Sequence, residues 1–182
     1  PLRPTTSLGP LLNRDGEFNG KIREVNGLFR LRKNIGEEFC AQVERLMSLG
    51  VKVSHLDSHH HIHTIPSLFP VLKAVQRKYG IRKVRVSLNV YPANNAAPAW
   101  LLLKKRAFNT FLRSWPRTRT TGAMTDLSTF VEKRQLIASK YESVEVMLHP
   151  GHPESAAETA LLRSLGERDP EFRPSLISYH EL

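Results

Sequence analysis

The stretch VKVSHLDSHHHIHTIP, residues 51–66, decides the architecture. Its opening residues, with β-branched Val51 and Val53 and apolar Leu56, predict a short strand over residues 51–56. Five histidines and an aspartate then crowd into HLDSHHHIH, residues 55–63, before Pro66 ends the loop. Ser67 is placed to cap a helix reaching Tyr79, with Leu68, Leu72 and Val75 on its buried face and Gly80 beyond its end. Strand, polar loop and helix in that order make one step of an α/β fold, with the loop at the carboxyl end of the strand.

The pattern repeats in both directions. Upstream, Ile35, Phe39, Val43, Leu46 and Leu49 recur at spacings of three and four, so residues 35–49 predict a helix with Gly50 as its stop. Downstream, residues 83–87 alternate Val84 and Val86 with basic neighbours as a second strand, and Pro98 opens a helix to about Trp115. A short strand at residues 120–124, a helix at 128–141, a buried strand at 144–148, a helix at 156–165 and a last strand at 176–179 complete the reading. Alternating strands and helices imply a mostly parallel sheet, open or closed. Four or five strands are fewer than the eight of a closed barrel, so the expected class is α/β, an incomplete or deformed (β/α) barrel. Length favours one domain over residues 1–182, with residues 1–34 irregular and residues 35–182 built of βα units.

Composition narrows the function classes. Hydrophobic residues at 40% and charged residues at 24% suit a globular chain rather than a disordered one. The apolar run at residues 96–103 is broken by Lys104, Lys105 and Arg106, far short of the roughly 20 residues a membrane span needs. A lone cysteine, Cys40, excludes an internal disulfide, reads as a small packed hydrophobe and fits a cytoplasmic protein. The net charge of +10 is spread over several segments without a nucleic-acid motif. A solvated basic surface is therefore expected, and no dedicated nucleic-acid site. Homodimerisation is left open.

The histidine run points to a metal site, because neutral imidazole binds zinc and other divalent ions and a carboxylate can orient an imidazole or bind the ion itself. If the stretch is extended, His55, Asp57, His59, His61 and His63 share one face. An expression tag does not fit an interior run interrupted by Ile62, and a wholly structural role leaves too many titratable groups at one strand end. His149 follows the strand at 144–148 on the same expected sheet edge, as either a satisfied structural histidine or a general acid. His152 reads as loop surface. Arg85, on a strand, is expected to form a salt bridge beneath the site in preference to touching substrate. Trp100, Phe108, Phe111 and Trp115 are expected in the core rather than as a sugar platform.

Taken together, SHLDSHHHIHTIP at 54–66, VRV at 84–86, TGAM at 121–124, EVMLHPG at 145–151 and LISYHEL at 176–182 resemble the YdjC-like carbohydrate deacetylases, the family of chitooligosaccharide deacetylases and hopanoid-associated relatives. The resemblance implies a deformed (β/α) barrel that hydrolyses the N-acetyl group of an acetylated amino sugar or oligosaccharide with a bound divalent metal, Mg²⁺ or Zn²⁺. It maps a metal ligand onto His59 and the proton donor to the departing amine onto His149. Asp57, His61, His63 and Arg85 are then expected to touch substrate or to steady the metal ligands from behind. The family's early DDFG and GLHL segments, with an aspartate and a histidine ligand, have no counterpart in these 182 residues. The expectation is a domain lacking about its first third, with the water-activating base upstream. Rival readings are a metal-dependent phosphoesterase or other amidohydrolase, and a non-catalytic basic binding module.

Overall fold

The computed structural model describes residues 1–2, 8–114, 118–151, 155–168 and 174–182. They form two compact units, Pro1–Arg85 with Leu112–Arg119, and Val86–Phe111 with Thr120–Leu182.

In the first unit, α1 (Arg32–Ser48) and α2 (Phe69–Tyr79) pack against each other. Ile35 and Val43 of α1 and Val71, Leu72 and Val75 of α2 are all buried, which is where the three-and-four spacing places them. Gly50, at φ 79°, ends α1 in a left-handed turn. Its amide bonds the Met47 carbonyl at 3.0 Å and the Val51 amide bonds Leu46 at 3.1 Å, the paired pattern of a Schellman cap. Gly80, at φ 68°, closes α2 by donating to the Gln76 carbonyl. Ser67 does not cap α2. Leu68 holds the cap position without a side-chain bond, and the Ser67 carbonyl accepts from Arg32 Nε at 2.6 Å.

The extended segments of this unit are shorter than their β-branched sequence predicts. Residues 51–56 pair only through a parallel bridge, Leu56 to Val84, and Lys83 bridges in parallel to Arg119. Four backbone bonds of 2.9–3.1 Å tie these segments together, and Val84 is fully buried between its neighbours. Lys73 of α2 sits beneath them, its ammonium donating to the Leu112 carbonyl (3.0 Å), Thr118 Oγ1 (2.8 Å) and Gln76 Oε1 (3.0 Å). Burial pushes this lysine down to about 8.

The second unit contains α3 (Ala99–Ser114) as far as Phe111, β1 (Ala123–Asp126), α4 (Leu127–Lys140), β2 (Val144–Met147) and α5 (Ala156–Arg168). The Pro98 carbonyl accepts the Leu101 and Leu102 amides and so opens α3. β1 and β2 pair in parallel, Ala123 opposite Val144 through Asp126 opposite Met147, joined by α4 as a βαβ step. β2 is half-buried along its length, not the fully buried strand its sequence predicts. Asp126 caps α4, accepting from the Thr129 amide (2.9 Å) and both the Ser128 and Thr129 hydroxyls. Gly122 lies at a close approach, since a Cβ there would be 3.2 Å from both the Ser143 carbonyl and the Tyr141 ring. Residues 176–179 do not form the expected strand. Glu181 instead gathers the Ser178 amide and hydroxyl into a turn, and the Tyr179 hydroxyl donates to Glu145.

Candidate functional site

The histidine loop begins where the ladder ends. Leu56 is fixed on both sides, its amide donating to Lys83 and its carbonyl accepting from Arg85. Asp57 follows with both carboxylate oxygens engaged. Oδ1 accepts the Ser58 amide at 2.6 Å and Oδ2 meets Arg85 Nη1 at 2.5 Å, so the guanidinium on one segment orients the carboxylate on the next.

Beyond Ser58 the chain leaves the extended conformation, and the expected common face of alternate residues does not form. Residues His59–Thr64 make tight turns, with His60 and His61 in the left-handed region at φ 52°. Each such residue costs about 1–2 kcal/mol without a glycine, so local bonds must hold it. Arg23 Nη2 donates to the carbonyls of His60 (3.2 Å) and His61 (3.0 Å), and the Thr64 hydroxyl also donates to His61 (2.8 Å).

His63 serves as the latch of this loop. Its side chain is buried, with Nε2 3.0 Å from the Arg85 carbonyl and Nδ1 2.6 Å from Ser58 Oγ. A carbonyl only accepts, so Nε2 carries the ring proton and Nδ1 accepts from the Ser58 hydroxyl. The same hydroxyl oxygen accepts the His63 amide at 2.9 Å. Both ring nitrogens are thus used within the protein, which directs His63 to support the loop.

The remaining members of the run differ in exposure. His59 and His60 are exposed, with ring centroids 4.0 Å apart, and His61 is half-buried. His55 is half-buried and pairs through Nδ1 with the Ser54 hydroxyl at 2.8 Å. A cavity of about 550 Å³ opens beside the loop, lined by His55, Asp57, His59 and His60 on one side and by apolar residues of α1 and α2 on the other.

His149 belongs to the second unit, two residues past β2. Glu158 in the first turn of α5 holds it, accepting its amide at 3.0 Å and lying 3.4 Å from Nδ1 through the same oxygen. His152 and Trp115 fall outside the described residues. Of the described aromatics expected in the core, Phe108 is buried, whereas Trp100 and Phe111 are 66% and 67% exposed.

Asp57, His63 and Arg85 are therefore brought into one hydrogen-bonded group, with His59 and His61 on the same loop. Sequence reasoning missed Ser58 and Arg23. The first is readable in retrospect as a hydroxyl following a turn-forming aspartate, whereas nothing local to Arg23 signals a partner 37 residues away. Among the described residues no group of three or more His, Cys, Asp or Glu converges to hold a metal. With Asp57 given to Arg85 and His63 to the latch, these residues offer His59 as an imidazole donor but not a complete ligand set.

Comparison with known proteins places this geometry in context. The carbohydrate deacetylase of Geobacillus stearothermophilus is 39% identical over 87 residues, 47% of this chain and 35% of that protein. That of Vibrio campbellii is 53% identical over 45 residues, 25% of this chain and 18% of that protein, and that of Vibrio vulnificus is 39% identical over 84 residues, 43% and 31% respectively. The matched segments thus span about a third or less of these relatives' own lengths. The model of the YdjC-like protein family matches much more, residues 1–174 of 182. The chain belongs to the YdjC-like protein family.

Proposed function

We propose that this chain carries the histidine loop of a carbohydrate deacetylase that hydrolyses the N-acetyl group of acetylated amino sugars or oligosaccharides. The observation that carries the reading is the loop itself: a buried latch of Ser58, His63 and Arg85 presenting an exposed His59 beside a cavity. Curated relatives named carbohydrate deacetylase support it. In this reading the parallel strands are part of a (β/α) barrel, residues 1–182 belong to one catalytic domain, and the protein acts in the cytoplasm.

His59 would supply one ligand to Mg²⁺ or Zn²⁺. Such an ion supplies polarisation of an acetamide carbonyl and acidification of its water. The chain's own residues supply positioning and a proton donor. Asp57, held by Arg85, fixes the start of the loop and presents a carboxylate edge to a sugar hydroxyl. Arg23 holds the His60 and His61 carbonyls, setting the direction in which His59 emerges. His149, with Nδ1 turned to Glu158, is left with Nε2 to deliver a proton to the departing amine.

Acetate release from acetylated chitooligosaccharides, followed with added Mg²⁺ or Zn²⁺ and after chelation, tests the assignment. Loss of a supporting partner of a metal ligand already weakens affinity or activity 10–100-fold, so His59→Ala should reduce deacetylation by at least about 100-fold. Unchanged metal affinity and unchanged acetate release in that variant would overturn the reading. Release of phosphate from phosphoesters in place of acetate would assign a different hydrolase.

A further inference from the structure

α3 has an outward face that the deacetylase reading does not use. Trp100, Leu103 and Phe111 are 66%, 69% and 67% exposed, with exposed Ala107 between them. At 100° per residue these four positions fall within about 80° of the helix circumference, a continuous stripe about 16 Å long. Asn109 on the opposite side is buried, and its Oδ1 accepts from the Ser87 amide and hydroxyl, so the helix cannot roll its stripe inward. Three large exposed apolar side chains in register are a patch that monomers avoid unless it meets something.

The charges around the stripe identify what it meets. α3 carries Lys104, Lys105, Arg106 and Arg113 and no carboxylate in sixteen residues. Lys105 turns toward the protein, donating to the Leu88 carbonyl and the Tyr91 hydroxyl. Lys104 and Arg106 are exposed on the two edges of the stripe. A tryptophan, leucine and phenylalanine face rimmed by cations matches the boundary between acyl chains and anionic headgroups. No helix among the described residues is long and apolar enough to cross a membrane, so the fit is to a surface.

We propose that the Trp100–Leu103–Phe111 face of α3 docks onto the surface of an anionic lipid bilayer. Apolar side chains enter the headgroup region while Lys104 and Arg106 pair with lipid phosphates.

Sedimentation of the 182-residue chain with vesicles tests this independently of any activity. Vesicles of phosphatidylcholine containing phosphatidylglycerol should carry the protein down, and vesicles of phosphatidylcholine alone should not. Binding should fall when salt reaches about 1 M, where the Debye length is about 3 Å. The Trp100→Asp/Leu103→Asp variant should lose binding on the order of tenfold with unchanged melting, both side chains being solvent-exposed. If that variant melts early, Trp100→Ser alone reads the same loss. Lys104→Glu/Arg106→Glu should abolish the preference for phosphatidylglycerol. The inference is overturned by equal binding to both vesicles, or by retained binding in the Asp variants, which would assign the effect to diffuse positive charge. It is equally overturned by a solution dimer that those variants dissociate without vesicle binding, which would assign the face to a second copy of the chain.

Discussion

Replacing His63 by alanine removes a ring whose two nitrogens both bond inside the protein, to Ser58 Oγ at 2.6 Å and the Arg85 carbonyl at 3.0 Å. Each buried hydrogen bond contributes about 1 kcal/mol, and lost ring packing brings the expected total to about 2–4 kcal/mol. For a chain of this size that lowers the melting temperature by about 5–15 °C. His63→Gln, whose amide reaches the Arg85 carbonyl but cannot repeat the Ser58 bond, should recover roughly half. His59→Ala is the matched control, because His59 is exposed and its removal should shift stability by no more than about 0.5 kcal/mol. Urea unfolding followed by circular dichroism reads all three variants, and hydrogen exchange at the Leu56 and Arg85 amides reports whether the ladder loosens locally. A Ser58→Ala/His63→Ala cycle should show a coupling of about 1 kcal/mol. If His63→Ala proved as harmless as His59→Ala, with the Arg85 amide still protected, the latch would not be holding the loop and its assignment would fail.

Asp126→Ala should destabilise by about 1–2 kcal/mol through loss of the α4 cap. Burial alone would raise this carboxyl, but hydrogen bonds from Ser128 and Thr129 outweigh it and hold its pKa below the usual 3.8. Its contribution is therefore complete above pH 4 and lost as pH falls through the lowered value, so the gap between wild type and Asp126→Ala in urea melts should close only in strong acid. Lys73 behaves in the opposite sense. Its native value of about 8 lies below the unfolded 10.5, so between these pH values the unfolded chain binds more protons and stability rises with pH. Relative to Lys73→Met, wild-type stability should increase from pH 8 to 10.5, and a flat difference would contradict the buried environment. Gly122→Ala should cost about 1–3 kcal/mol, since its methyl meets the Ser143 carbonyl and Tyr141 at 3.2 Å; a neutral melt would show that the strand start yields freely.

The helices were legible because their signals are local. Periods of three and four, with Gly50 and Gly80 as stops, locate α1 and α2 to within a few residues, and both glycines adopt the left-handed conformation that ends a helix. Strands were legible only as extended tendency. Val51 and Val53 favour a strand, yet a ladder depends on distant partners, and in this segment only Leu56 bridges one. The LISY segment shows the same limit: Leu176 is 90% exposed and Glu181 folds Ser178 into a turn, a competition that β-propensity does not register. On α3, hydrophobicity marked Trp100 and Phe111 as core, but the buried side carries Phe108 and Asn109, and Asn109 is held by Ser87 from elsewhere in the chain.

The histidine run shows why residue type alone could not divide its labour. An extended reading puts His59, His61 and His63 on one face with equal claims to a ligand. Two left-handed residues at His60 and His61 break that equivalence, turning the chain so that His63 reaches back beneath Arg85 while His59 stays outside. The turn is unfavourable for residues with a Cβ, and the groups that hold it are Arg23 from upstream and Ser58 and Thr64 within the loop. Arg23, bonded to the His60 and His61 carbonyls, is thereby placed to set the direction of His59. Arg23→Ala should consequently act as a positioning defect: lower metal affinity with His59 still present, and partial recovery in Arg23→Lys, which keeps one donor for the two carbonyls. A fall in stability with unaltered metal affinity would instead make Arg23 a brace for the loop alone.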